Sequence, residues 1–364
     1  MKYAESVLPQ MSIEEATIKQ FELVECMTRE FTDNEMFLDG DRGVNPIYKR
    51  PRTTAKVENV LANMFGAEQA ALVRGSGTGA IRSLLSALLK PGDSIIIHTA
   101  PIYMTTKETI RMLGLRTETV DYNDLEALTK SVAHSDANVF YIQHARQQPN
   151  DTYRLKEVIH TVKTVRPEMI VAVDDNYCAL KMPEIGVELG ADYSTFSGFK
   201  LLGPEGVGII LGDKAIDTIQ QRNYSGGSQV QGPEAMELLR SIPFAPVSLA
   251  IQSQQVDLLC ELLNKGSVAG VKEAYITNSQ SKNVIVELKE PIAQGVIERS
   301  KAFGAATYPV GAESRFELVP MIYRVSGSFL ESTPDLLHYG LRINPMKAGA
   351  ETVIRILRKV MQAE

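Results

Sequence analysis

Apolar residues in "SIEEATIKQFELVECMTREF" recur at helical spacing, which predicts one or two helices near the amino terminus. The next stretch, "LDGDRGVNPIYKRPRTT", has no such period and is rich in Gly, Pro and Arg, so it reads as irregular. "AKVENVLANMFGAEQAALV" predicts a helix, a glycine stop and a short strand. From "ALVRGSGTGAIRSLLSALLKPGDSIIIHTA" the order is strand, glycine-rich turn, helix, turn, strand. Short apolar runs in "GLRTETVDY", "ANVFYIQ", "MIVAVDD", "YSTFSGF" and "GVGIILG" predict further strands, with helical segments such as "YRLKEVIHTVKTV" between them. That alternation implies a mainly parallel sheet sandwiched by helices.

The pattern changes around "FAPVSLA". A long helix, "SLAIQSQQVDLLCELLNKG", then leads to strand-like "VIVELKEP", "YRVSGSFL" and "HYGLRINP", and "GAETVIRILRKVMQAE" closes the chain as a helix. The expected organisation is an irregular and helical segment over residues 1–50, a large α/β domain over 51–243, and a smaller α+β domain over 244–364. With 364 residues, of which 44% are hydrophobic, the chain can bury substantial cores.

A net charge of -6 gives no general attraction to nucleic acid or anionic membranes. The three cysteines, Cys26, Cys178 and Cys260, have no metal-type spacing and read as reduced cytoplasmic thiols. No stretch has the roughly 20 apolar residues that cross a bilayer. The amino-terminal residues lack a signal-peptide apolar region, so the expectation is a soluble, cytoplasmic protein.

Three local features carry chemistry. In "RGSGTGAI", glycines precede a helix whose first amides, with the Ser76 and Thr78 hydroxyls, form an anion site. It is neither GxGxxG nor a Walker loop. In "IVAVDDNYCAL", Asp174 and Asp175 end an apolar strand, where open α/β sheets place ligand groups. In "STFSGFKLLGPEGVGIILG", Lys200 sits among apolar neighbours, which should lower its affinity for a proton and leave a nucleophilic amine. Separately these read as a plain turn, a solvated cap and a surface lysine. Together, and in that order, they are the skeleton of a pyridoxal 5'-phosphate site: phosphate loop, acid for the pyridine nitrogen, lysine for the aldehyde. No HExxH, DxD or EF-hand spacing supports a metal.

On these motifs the chain resembles the fold-type I pyridoxal-phosphate enzymes, the aminotransferase and cystathionine synthase/lyase superfamily, and more closely its YhfS-type aminotransferase group. The resemblance implies that Gly77 and Thr78 donate to the phosphate, with Ser76 beside them, and that Ser197 joins them from three residues before the lysine. Phe199 stands where the cystathionine branch often has threonine. Tyr103 matches the aromatic that stacks on the cofactor ring. The "DN" pattern selects Asp175 as the pyridine acid, whereas the D-x-x-Y pattern selects Asp174, with Tyr177 near the ring hydroxyl. Successive strand residues face opposite ways, so only one acid can meet the ring, and Asp174 is preferred because it directly ends the apolar run.

The resemblance further implies that Gln143, His144 and Arg146 line the substrate side, and that Arg342 grips the substrate carboxylate, with Arg324 a weaker candidate. It also implies a homodimer or an assembly of dimers. Tyr48, Arg50 and Arg52, and the loop with Ser225 and Gly226, then reach the neighbouring subunit's cofactor. The expected activity is that of an aminotransferase, the alternative being a carbon–sulfur or carbon–nitrogen lyase of the cystathionine type. Two further readings are a non-catalytic cofactor-binding protein and a dinucleotide oxidoreductase; the missing GxGxxG speaks against the latter.

Overall fold

The computed structural model describes residues 2–225, 227–279, 281–308 and 313–362. Two compact units make up the chain. The larger comprises Glu14–His144 and Tyr153–Pro246. The other joins Met1–Ile13, Ala145–Thr152 and Val247–Glu364.

In the larger unit, helices α1 (Ile13–Glu30), α2 (Arg52–Met64) and α3 (Ser76–Leu88) alternate with strands β1 (Gln69–Arg74) and β2 (Ser94–His98). Then come β3 (Arg116–Val120), β4 (Val139–Gln143), β5 (Ile170–Asp174), β6 (Tyr193–Ser197) and β7 (Val207–Gly212). They form one seven-stranded sheet in the order β1-β7-β6-β5-β4-β2-β3. Only β7 runs against the rest, pairing antiparallel with β1 and β6. This is the mainly parallel α/β architecture expected.

Both faces of this sheet are covered, which explains its continuous apolar strands. Ala80, Ile81, Leu84 and Leu85 of α3 pack with Ile95, Val139, Ala172 and Ile210 on one face. On the other, Val158, Ile159 and Val162 pack with Ile96, Phe140, Val171 and Val173. Each fully buried aliphatic side chain of this kind contributes about 1.5–3 kcal/mol. The strands end together at their carboxyl edge, and Asp174, Ser197 and the turn before α3 belong to that edge.

The second unit carries a four-stranded antiparallel sheet in the order β10-β11-β9-β8. Its strands are β8 (Val271–Thr277), β9 (Asn283–Leu288), β10 (Met321–Arg324) and β11 (Gly340–Asn344), with helices Ala245–Asn264 and Ala350–Gln362 against it. The expected strand "YRVSGSFL" stops at Arg324. Gly327 takes a left-handed φ of 64° and starts a short helix, Ser328–Ser332. The amino-terminal residues belong to this unit through specific bonds. Lys2 Nζ meets Glu273 at 3.0 Å and Glu287 at 2.6 Å, and Leu8 N donates to Asn278 Oδ1 at 2.9 Å.

Candidate active site

Lys200 ends its neighbours' influence quickly: it lies in a short 3-10 helix, Gly198–Leu201, directly after β6. Apolar Leu201 is buried, but the amine itself meets polar groups. Lys200 Nζ donates to Asn176 Oδ1 at 3.2 Å and stands 3.8 Å from the centre of the Tyr177 ring. The carboxylate absent from its sequence neighbourhood is supplied by Asp174, whose charge it feels. An amide and a phenol ring thus meet the Lys200 amine, with the Asp174 charge nearby.

Asp174 is almost fully buried. It accepts hydrogen bonds from Tyr141 Oη at 3.0 Å, from Asn176 N at 3.0 Å and from Asn176 Nδ2 at 2.7 Å. Burial raises its carboxyl above the usual carboxylate range, opposed by Lys200, Asn176 and Tyr141. Asp175 turns elsewhere. It accepts from His144 Nδ1 at 2.7 Å, Ser194 Oγ at 2.6 Å and Gly186 N at 3.2 Å. The two acids thus separate as the alternation of a strand requires, and Asp174 is the one beside Lys200.

The glycine-rich turn comes to the same place. Ser76 Oγ and Ser197 Oγ are hydrogen-bonded, joining the start of α3 to the end of β6. Asn176 packs so closely on Gly77 that an added Cβ would lie 2.5 Å from its Oδ1. Gly208 is similarly obligatory, since a Cβ there would meet Ser76 O at 2.2 Å. The helix Leu125–His134 closes its first amides with Asp124, whereas α3 has no side-chain cap. Ser76 N donates to Gly206 O at 3.0 Å, which leaves the Gly77 and Thr78 amides of the first turn facing an anion, next to the Thr78 hydroxyl, which pairs with Thr105 Oγ1 at 3.1 Å. Tyr103 stands at the head of the helix Met104–Met112, half-exposed; burial and then the Asp174 charge raise its phenol. Hydroxyls and open amides for a phosphate, a buried acid for a ring nitrogen and an amine for an aldehyde form a donor set that fits pyridoxal phosphate.

The family described as Cys/Met metabolism PLP-dependent enzyme matches residues 22–281. The chain belongs to that family. A second family description, YhfS-like C-terminal domain, matches residues 257–357. YhfS of Escherichia coli (strain K12), an uncharacterised protein, is 48% identical over 97% of both chains. The crystal structure of the pyridoxal-5'-phosphate dependent protein YhfS from Escherichia coli superposes with a TM-score of 0.96 at 47% identity, over 98% of this chain and 99% of that one. L-methionine gamma-lyase of Pseudomonas putida is 28% identical over 57% of this chain and 53% of its own. Cystathionine gamma-synthase from Xanthomonas oryzae pv. oryzae, at 16% identity and a TM-score of 0.69 over 88% of both chains, shares the fold. Pyridoxal phosphate is accordingly the cofactor of this Cys/Met-family enzyme.

Two side chains expected on the substrate side of the enzyme, His144 and Arg146, are engaged elsewhere. His144, assigned to the substrate side, is buried against Asp175. Burial opposes its charged form, but Cys178 and Asp175 raise it to about 10. Arg146 is buried in the other unit, donating from Nε to Ser6 O at 2.9 Å. Gln143 ends β4, and its carbonyl accepts from Tyr153 Oη at 2.6 Å. Arg342 is fully buried on β11, 5.6 Å from the Phe329 ring centre and beside Tyr323, and Arg324 is exposed.

The segment read as reaching a second subunit is divided. Arg50 pairs with buried Glu58, whose carboxyl burial pushes up to about 7, and bonds the Tyr48 carbonyl at 2.8 Å and Gln220 at 3.2 Å. Tyr48, Arg52 and Ser225 are exposed, and Gly226 lies outside the described residues. Sequence reading missed Asn176, which touches Lys200, Asp174, Ser197 and Gly77 together. Its signal was its place two residues after Asp174, where a side chain can fold back on its own turn.

Proposed function

We propose that this enzyme is a carbon–sulfur lyase of the cystathionine type, acting on a sulfur-containing amino acid with pyridoxal phosphate carried on Lys200. The observation that carries the cofactor assignment is Lys200 held with Asp174, Asn176 and Tyr177, with Ser76 and Ser197 adjoining. The lyase reading is supported by relatives that carry lyase and synthase names, among them L-methionine gamma-lyase. It takes precedence over the aminotransferase expectation on that support.

When bound, pyridoxal phosphate draws electrons from the bonds of the substrate's α-carbon. The residues of this chain do the rest. Ser76, Gly77, Thr78 and Ser197 would hold the phosphate, and Tyr103 would be the aromatic for the ring. Asp174 keeps the pyridine nitrogen protonated. Lys200 would carry the cofactor's aldehyde and would move the proton at the substrate's α-carbon as base and acid. Tyr177 orients the lysine through its ring. The working form is a dimer in which Tyr48 and Arg52 reach the neighbour's phosphate.

The test is a panel of cystathionine, methionine and cysteine with the purified protein. A lyase adds water and releases a thiol, ammonia and a 2-oxo acid in equal amounts, and Lys200→Ala releases none. Oxo acid formed only with an added amino acceptor, without ammonia or thiol, overturns the lyase reading in favour of amino transfer.

A further inference from the structure

The turn that follows β5 brings a second lysine to the site. Lys181 is buried, at 4% exposure, and its Nζ lies 5.4 Å from the centre of the Tyr177 ring. Lys200 Nζ stands 3.8 Å from the same centre. Two amines share one phenol ring and lie no more than about 9 Å from each other. The turn is built at a cost, for Tyr177 and Leu180 both take left-handed backbone angles, with φ of 68° and 56°. Non-glycine residues in that region cost on the order of 1 kcal/mol or more each, and such strain concentrates at functional sites. The bond from Lys181 N to Cys178 O at 3.0 Å closes the turn.

We infer that Lys181 is a positioning residue, a second ammonium that biases Lys200 toward its neutral, nucleophilic form. A nearby cation disfavours a proton on an amine, and two adjacent lysines are an established chemical way to obtain a reactive amine at neutral pH. The need for it is evident in the site. Asp174 acts in the opposite sense, favouring charge on Lys200, and Asn176 accepts from it. Tyr177 lies against both amines, Tyr103 and Tyr141 adjoin Asp174, and the His144–Asp175 pair flanks the same turn. The inference rests on the reading of Lys200 as the cofactor-bearing lysine.

The experiment is a pH titration of the visible absorption band of the holoenzyme. Lys181→Met raises the midpoint by about one pH unit, the size expected for a lost unit charge at this distance and an effective dielectric near 20. Lys181→Arg, which keeps the charge, leaves the midpoint within a few tenths of wild type. Lys181→Gln replaces the methionine variant if that fails to fold. In the cofactor-free protein, the pH at which acetic anhydride modifies Lys200, followed by mass spectrometry, moves the same way. An unchanged midpoint in Lys181→Met overturns the inference. So does an unchanged midpoint with a raised KM, which makes Lys181 a substrate-binding group. Persistence of the band in Lys200→Ala instead defeats the reading of Lys200 itself.

Discussion

At the end of β5 two adjacent carboxylates meet opposite surroundings. Asp174 shares Asn176 with Lys200, whereas Asp175 is enclosed by His144, Ser194 and Gly186. Their isosteric variants should therefore fail in different ways. Asp174→Asn keeps the fold and lowers turnover on the order of a hundredfold or more, because the ring nitrogen loses its charged partner. Asp175→Asn leaves the buried imidazolium of His144 without its counter-charge and destabilises the protein by about 3–5 kcal/mol. Urea denaturation beside steady-state kinetics separates the two, and equal effects on stability would remove the distinction between the acids.

Among the elements, the ends of β4 and β5 are joined by the bond between His144 and Asp175. The ring's proton affinity is raised from 6.5 to about 10. The stabilisation from this bond is whole below pH about 6.5 and is lost as the pH rises through about 10. Unfolding free energy should fall over that window by an amount on the order of a few kcal/mol. Urea titrations at successive pH values check this, and His144→Gln should flatten the slope. The sequence pattern was enough to identify β1 to β7: β2, β4, β5 and β7 are apolar runs covered on both faces, and the edge strand β3 is mostly exposed. It could show neither the faces taken by Asp174 and Asp175 nor the commitment of His144, since these depend on register between strands far apart in the chain. Arg146 is held by the Ser6 carbonyl from 140 positions away, and Arg50 by Glu58 on the helix that follows it.

For the molecule as a whole, the larger unit exposes several large apolar side chains. Ile18 and Phe21 on α1 are 57% and 63% exposed, while Leu23 and Met27 on its other side are buried. Phe37 and Ile47 are 84% and 80% exposed. Under the proposed dimer these are the candidates for the covered surface. Sedimentation should give a mass near twice 40.1 kDa, and Ile18→Glu with Phe21→Glu should yield monomers that lose cofactor. A wild-type monomer with full cofactor occupancy would overturn the shared site.

The unit built on β8 to β11 also has a history written into its connectivity. Lys2 finds Glu273 and Glu287, Leu8 finds Asn278, and Ser6 takes Arg146, all within that unit. On the ribosome, Lys2 and Leu8 must wait for partners made 271 and 270 positions later. Meanwhile the seven-stranded sheet can close around its own core, needing nothing beyond Pro246. The catalytic face thus forms early, and the last strands to emerge, rather than the first, decide when the amino terminus comes to rest.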